Sequence, residues 1–116
     1  MQISIKANGI TTVFELNDSQ AAKELYAQLP LTIGIENYSS NEKIFYPPVK
    51  LNSTNTPLAS PQPGTLAYYA PWGDVVMFYD SSGSASGLYE LGNAISGGEL
   101  IGSMSGTIQV EKMETE

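Results

Sequence analysis

The chain of 116 residues has no histidine and no cysteine, and its five basic residues are all lysine, so arginine is missing too. Each absence removes a class of chemistry. Histidine is the usual general base near neutral pH, and cysteine the most nucleophilic ordinary side chain. Arginine supplies the bidentate grip on phosphate and carboxylate. Charge is scarce as well: 15% of residues are charged, and the formal net charge is −7. With no basic patch to displace counterions, nucleic acid is not expected as a partner. An anionic membrane surface is disfavoured for the same reason. No apolar run approaches the roughly 20 residues that cross a bilayer. Met1 to Lys6 alternates and carries no apolar signal core. Together with the lack of cysteine, this points to a cytoplasmic protein.

What is present reads as a mainly β single domain. The length suits one core without disulfides or a structural metal. Ile3 and Ile5 alternate with polar residues, Asn8-Gly9 follows as a two-residue hairpin turn, and Ile10 to Leu16 forms the return strand. Ser19 is placed to cap a helix whose stripe is Ala22, Leu25, Tyr26 and Leu29, stopped by Pro30. A third strand runs from Leu31 to about Tyr38, and Lys43 to Tyr46 pairs back briefly. Asn52 to Gly64 is a long surface loop of the kind that is mobile or functional. Thr65–Ala70 and Asp74–Tyr79 are apolar strands joined by the turn Pro71-Trp72-Gly73. The run Val75 to Tyr79 does not alternate, which predicts burial on both faces, one against the core and one under the helix. After a Ser/Gly loop, a short strand Leu88–Leu91 ends at Gly92. A short helical turn near Glu99–Ser103 precedes a closing strand Thr107–Met113 with Ile108 and Val110 inward.

Several stretches in this order are familiar: Leu29-Pro-Leu-Thr-Ile33, Asn41-Glu-Lys-Ile-Phe-Tyr-Pro47, Pro63-Gly64, Gly73-Asp-Val-Val-Met-Phe-Tyr79 and Leu91-Gly92. The set resembles the small bacterial proteins called cyclophilin-like, a group whose function is generally unassigned. The resemblance spans Met1 to about Met113, and Leu91 to Met104 is similar to the closing turn and helix of true cyclophilins. It implies a closed antiparallel barrel of about eight strands with one clear helix and a short second helical turn. It does not bring prolyl isomerase residues with it. True cyclophilins use an arginine against the substrate backbone, a histidine in the proline pocket and a Gln-Phe-Phe segment, all missing here. No catalytic residue is carried over; the chain leans away from an enzyme, and the question stays open.

Other chemistry is thin. Gly83-Ser-Ala-Ser-Gly87 and Gly102-Ser-Met-Ser-Gly106 miss the nucleophile-elbow pattern at its serine, and neither has a histidine partner. Asp80, Ser82, Ser84 and Ser86 alternate like a calcium loop, yet Leu91 stands where the bidentate glutamate belongs. No metal is expected. No phosphate-binding glycine loop exists, so no nucleotide cofactor is expected either. Glu36, Glu42, Asp74, Glu90 and Glu99 could form a carboxylate pair for acid–base work, but spacing singles out none; Asp74 reads most simply as a strand-start residue. The remaining lead is aromatic, because Tyr and Trp join apolar area to a polar handle. Tyr46, Tyr68, Trp72, Phe78 and Tyr79 are the expected ligand-binding residues, lining a groove for a peptide or small apolar ligand. Tyr68 and Tyr69 face opposite sides, so one of them fills the barrel. The alternative is a degenerate prolyl isomerase or another carboxylate-dependent enzyme.

Overall fold

The Asn8-Gly9 turn adopts positive φ at both residues, 54° and 75°, as a two-residue hairpin with right-handed twist requires. It joins β1 (Gln2–Ala7) to β2 (Ile10–Leu16), with Ala7 opposite Ile10. From that hairpin the chain builds one nine-stranded antiparallel sheet; the computed structural model describes residues 1–113. The remaining strands are β3 (Leu31–Gly34), β4 (Glu36–Tyr38), β5 (Glu42–Phe45), β6 (Thr65–Tyr69), β7 (Asp74–Phe78), β8 (Leu88–Ser96) and β9 (Thr107–Met113). Their order across the sheet is β3-β9-β1-β2-β8-β6-β7-β5-β4.

The two edge strands of that order are neighbours in the chain. The expected strand Leu31–Tyr38 divides at Ile35: its first half pairs with β9 and its second half with β5. The Ile35 amide donates to the Gly106 carbonyl at 2.9 Å. One extended segment thus spans both sheet edges and nearly closes the barrel. Counting β3 and β4 as this single segment turns nine strands into eight. Closure of this kind hides the edge amides that would otherwise recruit another chain.

The helix α1 (Gln20–Ala27) starts where the Ser19 hydroxyl accepts the Ala22 amide at 3.2 Å. Ala21, Ala22 and Leu25 are fully buried and close one end of the barrel core, with Ile3, Ile5, Phe14, Met77 and Val110. At its end, the Gln28 side chain both donates to the Val49 carbonyl and accepts the Val49 amide, tying the following segment to the helix. A 3₁₀ helix, Gly98–Ser103, places Ile101 in the same core. No helix among the described residues is long and apolar enough to cross a membrane.

Two expectations need correction. β8 does not end at Gly92 but continues to Ser96. Gly92 is there because β2 passes close by: a Cβ on it would lie 2.2 Å from the Glu15 carbonyl oxygen. β7 is buried on both faces, yet its outer face is not under the helix. Val76 and Phe78 pack with Ile44, Ala67, Leu88 and Ala59, the last from the 52–64 loop. That loop is pinned to β8 along the way. Ala59 donates to the Leu88 carbonyl at 2.9 Å, and Glu90 donates to the Pro57 carbonyl at 2.7 Å.

Candidate functional site

Strand register decides which side chains meet on the outer face of β4, β5, β7 and β6. Tyr38 lies opposite Glu42, and Glu42 opposite Phe78. The next row holds Ile44, Val76 and Ala67. In the third, Asp74 lies opposite Tyr69, and Tyr69 opposite Leu88. Apolar side chains fill the middle of this patch, while carboxylates and tyrosines sit around it. The turn after β6 then places Trp72 over the patch. Its ring meets Tyr38 edge-on, with centroids 5.0 Å apart at 84°, and Tyr69 at 5.6 Å and 73°. Such edge-to-face pairs are a favoured aromatic geometry.

The three rings form one wall of a cavity of about 190 Å³. Its floor is Val76, Phe78 and Leu88, and its far wall is the loop Ser82–Ala85. That loop is held in place from two sides: Ser82 donates to the Pro61 carbonyl at 3.2 Å, and the Asn41 side chain donates to the Ser81 carbonyl at 3.5 Å. Glu42 and Asp74 supply the charge. Beyond Ala85 a shallow groove continues past Leu58, Ser86 and Tyr89.

Asp74 is the unusual member. Only 1% of it is exposed, and its Oδ1 has no hydrogen-bond partner among the described residues. Its own backbone amide is a bond that favours the charged form, yet burial outweighs it and raises the carboxyl from 3.8 to about 6. Glu42 is raised too, by burial first and by the nearby Asp74 second. A buried polar atom without a partner costs roughly 1–3 kcal/mol, more when charged. Folding alone gives no reason to keep one on a strand where its neighbours are apolar.

The expected groove residues divide. Trp72, 45% exposed, and Phe78, buried, both line this cavity. Tyr68 does not: it is 1% exposed inside the barrel, and its hydroxyl accepts the Leu51 amide at 3.1 Å. It is therefore Tyr69, its neighbour on the opposite face, that joins the cavity. Tyr79 lies against the barrel core, with the Lys43 ammonium 5.8 Å from its ring centre. Tyr46 is 44% exposed outside the cavity; desolvation first, then Asp74 and Glu36, push its hydroxyl pKa up. Tyr38 and the pairing of Glu42 with Asp74 were missed. Strand alternation would have put Tyr69 and Asp74 on β6 and β7, but only the register of β4 and β5 brings Tyr38 and Glu42 to them.

The sequence model of the cyclophilin-like family matches residues 5–112, and the chain belongs to that family. The fold is also similar to the solution structure of a hypothetical protein from Archaeoglobus fulgidus, with TM-score 0.75 and 20% identity. That likeness covers 97% of this chain and 95% of the other. No curated protein matches this chain.

Proposed function

We propose that this cyclophilin-like barrel is a non-catalytic binding module. Its site is the cavity walled by Tyr38, Tyr69 and Trp72, and it takes a small ligand or one side chain of an extended peptide. The observation that carries this reading is Asp74, a buried carboxylate that lines the cavity and whose free oxygen has no hydrogen-bond partner among the described residues. Strongly perturbed carboxyls inside clefts are candidates for functional groups. The volume agrees with a modest occupant, since pockets for drug-sized ligands run about 300–1,000 Å³ and this one holds about 190 Å³. The groove past Ala85 gives a peptide room on one side. The cysteine-free chain accords with work in the cytoplasm.

The test is an amide-correlation NMR screen of small fragments and short peptides against the labelled protein. Hits should shift Tyr69, Trp72, Asp74, Val76 and the amides of Ser82 to Ala85 together. Hits that cluster elsewhere, or a screen with none, would remove the reading.

A second reading rests on the carboxyl pair. Glu42 and Asp74 line one cavity, and burial is the leading cause that raises each of them, so both hold a proton to higher pH than a free carboxyl does. A carboxylate-dependent hydrolase would lose turnover in both Asp74→Asn and Glu42→Gln. Turnover of aryl glycosides or esters that survives both changes would reject it.

A further inference from the structure

The chemistry around the cavity is one-sided. It holds two carboxyls, three aromatic rings in its wall and Phe78 in its floor, and no lysine lines it among the described residues. The lysine nearest in sequence to Glu42 is turned away, because Lys43 hydrogen-bonds Asn37 and lies over Tyr79 on the inner side of the strand. Among the described residues the free Asp74 oxygen has no hydrogen-bond partner, and Lys50, which runs beside Gly73, meets it there with its methylenes. An aromatic ring attracts a cation through its quadrupole, and two or three rings set at steep angles form a cage for ammonium groups. The rings here meet at 84° and 73°, with Trp72 common to both pairs. A molecule of net charge −7 also favours the approach of cations over anions.

We propose that the cavity captures an organic ammonium group, packed against Tyr38, Tyr69 and Trp72 with Asp74 as its counter-ion and Glu42 at the rim. This rests on the binding reading above and names its ligand chemistry. The ammonium answers both oddities of the site at once. It gives the unpartnered Asp74 oxygen an opposite charge, and it gives the half-exposed rings a surface to cover. An apolar ligand would cover the rings but leave Asp74 as it is. An anion would meet two carboxyls. The cavity volume suits a trimethylammonium head or the end of a lysine side chain, with the remainder of the ligand lying in the groove past Ala85.

Binding can be read without a label, because Trp72 is the one tryptophan of the chain. The probes are choline and its neutral isostere 3,3-dimethylbutan-1-ol, which share shape and differ in charge. Each is titrated by calorimetry and Trp72 fluorescence into the wild type and into Asp74→Asn. Choline should bind about tenfold more tightly or better than the neutral alcohol, the weight of one charge-assisted contact. Asp74→Asn should erase that preference while leaving the weak affinity for the alcohol, which shows that the variant is folded and its pocket intact. Equal affinity for the two probes, or a preference that survives Asp74→Asn, overturns the ammonium assignment and leaves the binding reading standing. Neutral fragments that map to the cavity while choline does not bind have the same meaning. If no fragment maps there, the binding reading itself fails. Trimethyl-lysine within an extended peptide separates the sources. Tighter binding than choline supports a protein side chain as ligand, and equal binding supports a free small amine.

Discussion

At the scale of single residues, Asp74 and Trp72 carry the account, and each predicts a different signature. Asp74 is raised by burial, so the folded protein holds a proton that the unfolded chain has released between pH 3.8 and about 6. Where the folded state binds more protons, stability falls as pH rises. The contribution of Asp74 is therefore most favourable below pH 4 and is lost by about pH 6, on the order of 2–3 kcal/mol at about 1.36 kcal/mol per pKa unit. Asp74→Asn removes this dependence. Urea unfolding at pH 4.5 and 7.5 should show the variant gaining on the wild type at the higher pH, and an unchanged pH dependence would count against a buried carboxyl. Trp72 is half-exposed, and its losses on truncation are two edge-to-face contacts. Trp72→Ala should cost about 1–2 kcal/mol, well short of the roughly 3–5 kcal/mol of a buried tryptophan. A loss in the higher range would mean that the ring is core.

At the scale of elements, the hairpin, the capped helix and the doubly buried β7 were legible because each rests on local chemistry: the Asn8-Gly9 φ values, the Ser19 cap, the unbroken run from Val75 to Phe78. What was not legible depended on contacts distant in sequence. Gly92 looks like a strand terminator by type, and only the approach of β2 shows it to be a place where a strand continues without a side chain. Gly92→Ala should therefore cost about 3 kcal/mol, the top of the usual range for overpacking, since the new Cβ would meet the Glu15 carbonyl at 2.2 Å. Gly34→Ala on β3 is the control, with nothing within 4 Å of its Cβ position, and should be nearly neutral. A Gly92→Ala loss no larger than that of Gly34→Ala would show that the close approach of β2 does not account for Gly92. The site follows the same rule. Alternation separates Tyr68 from Tyr69 but does not say which face is inside. Glu42 reaches Asp74 only through the pairing of β5 with β7, and Tyr38 only through that of β4 with β5.

At the scale of the whole molecule, the barrel of the cyclophilin-like family is present without the arginine on which prolyl isomerisation rests. Uncatalysed X–Pro exchange takes tens to hundreds of seconds, so even weak catalysis is visible by NMR exchange at micromolar protein. No acceleration is expected on any X–Pro peptide, and clear turnover would return the isomerase reading to the front. The nearly closed sheet fixes the register of four strands, and that register sets carboxyls and rings around one cavity. On the ammonium proposal, the frame keeps Asp74 buried and without a hydrogen-bond partner among the described residues for the sake of a cationic ligand. The most direct test is the titration of the Asp74 side-chain carboxyl carbon by NMR, in the free protein and with saturating choline. The account predicts a midpoint near 6 in the free protein, moved down when the ammonium is bound, because the cation favours the charged carboxylate. A midpoint near 3.8 in the free protein, or one that choline leaves in place, would contradict it.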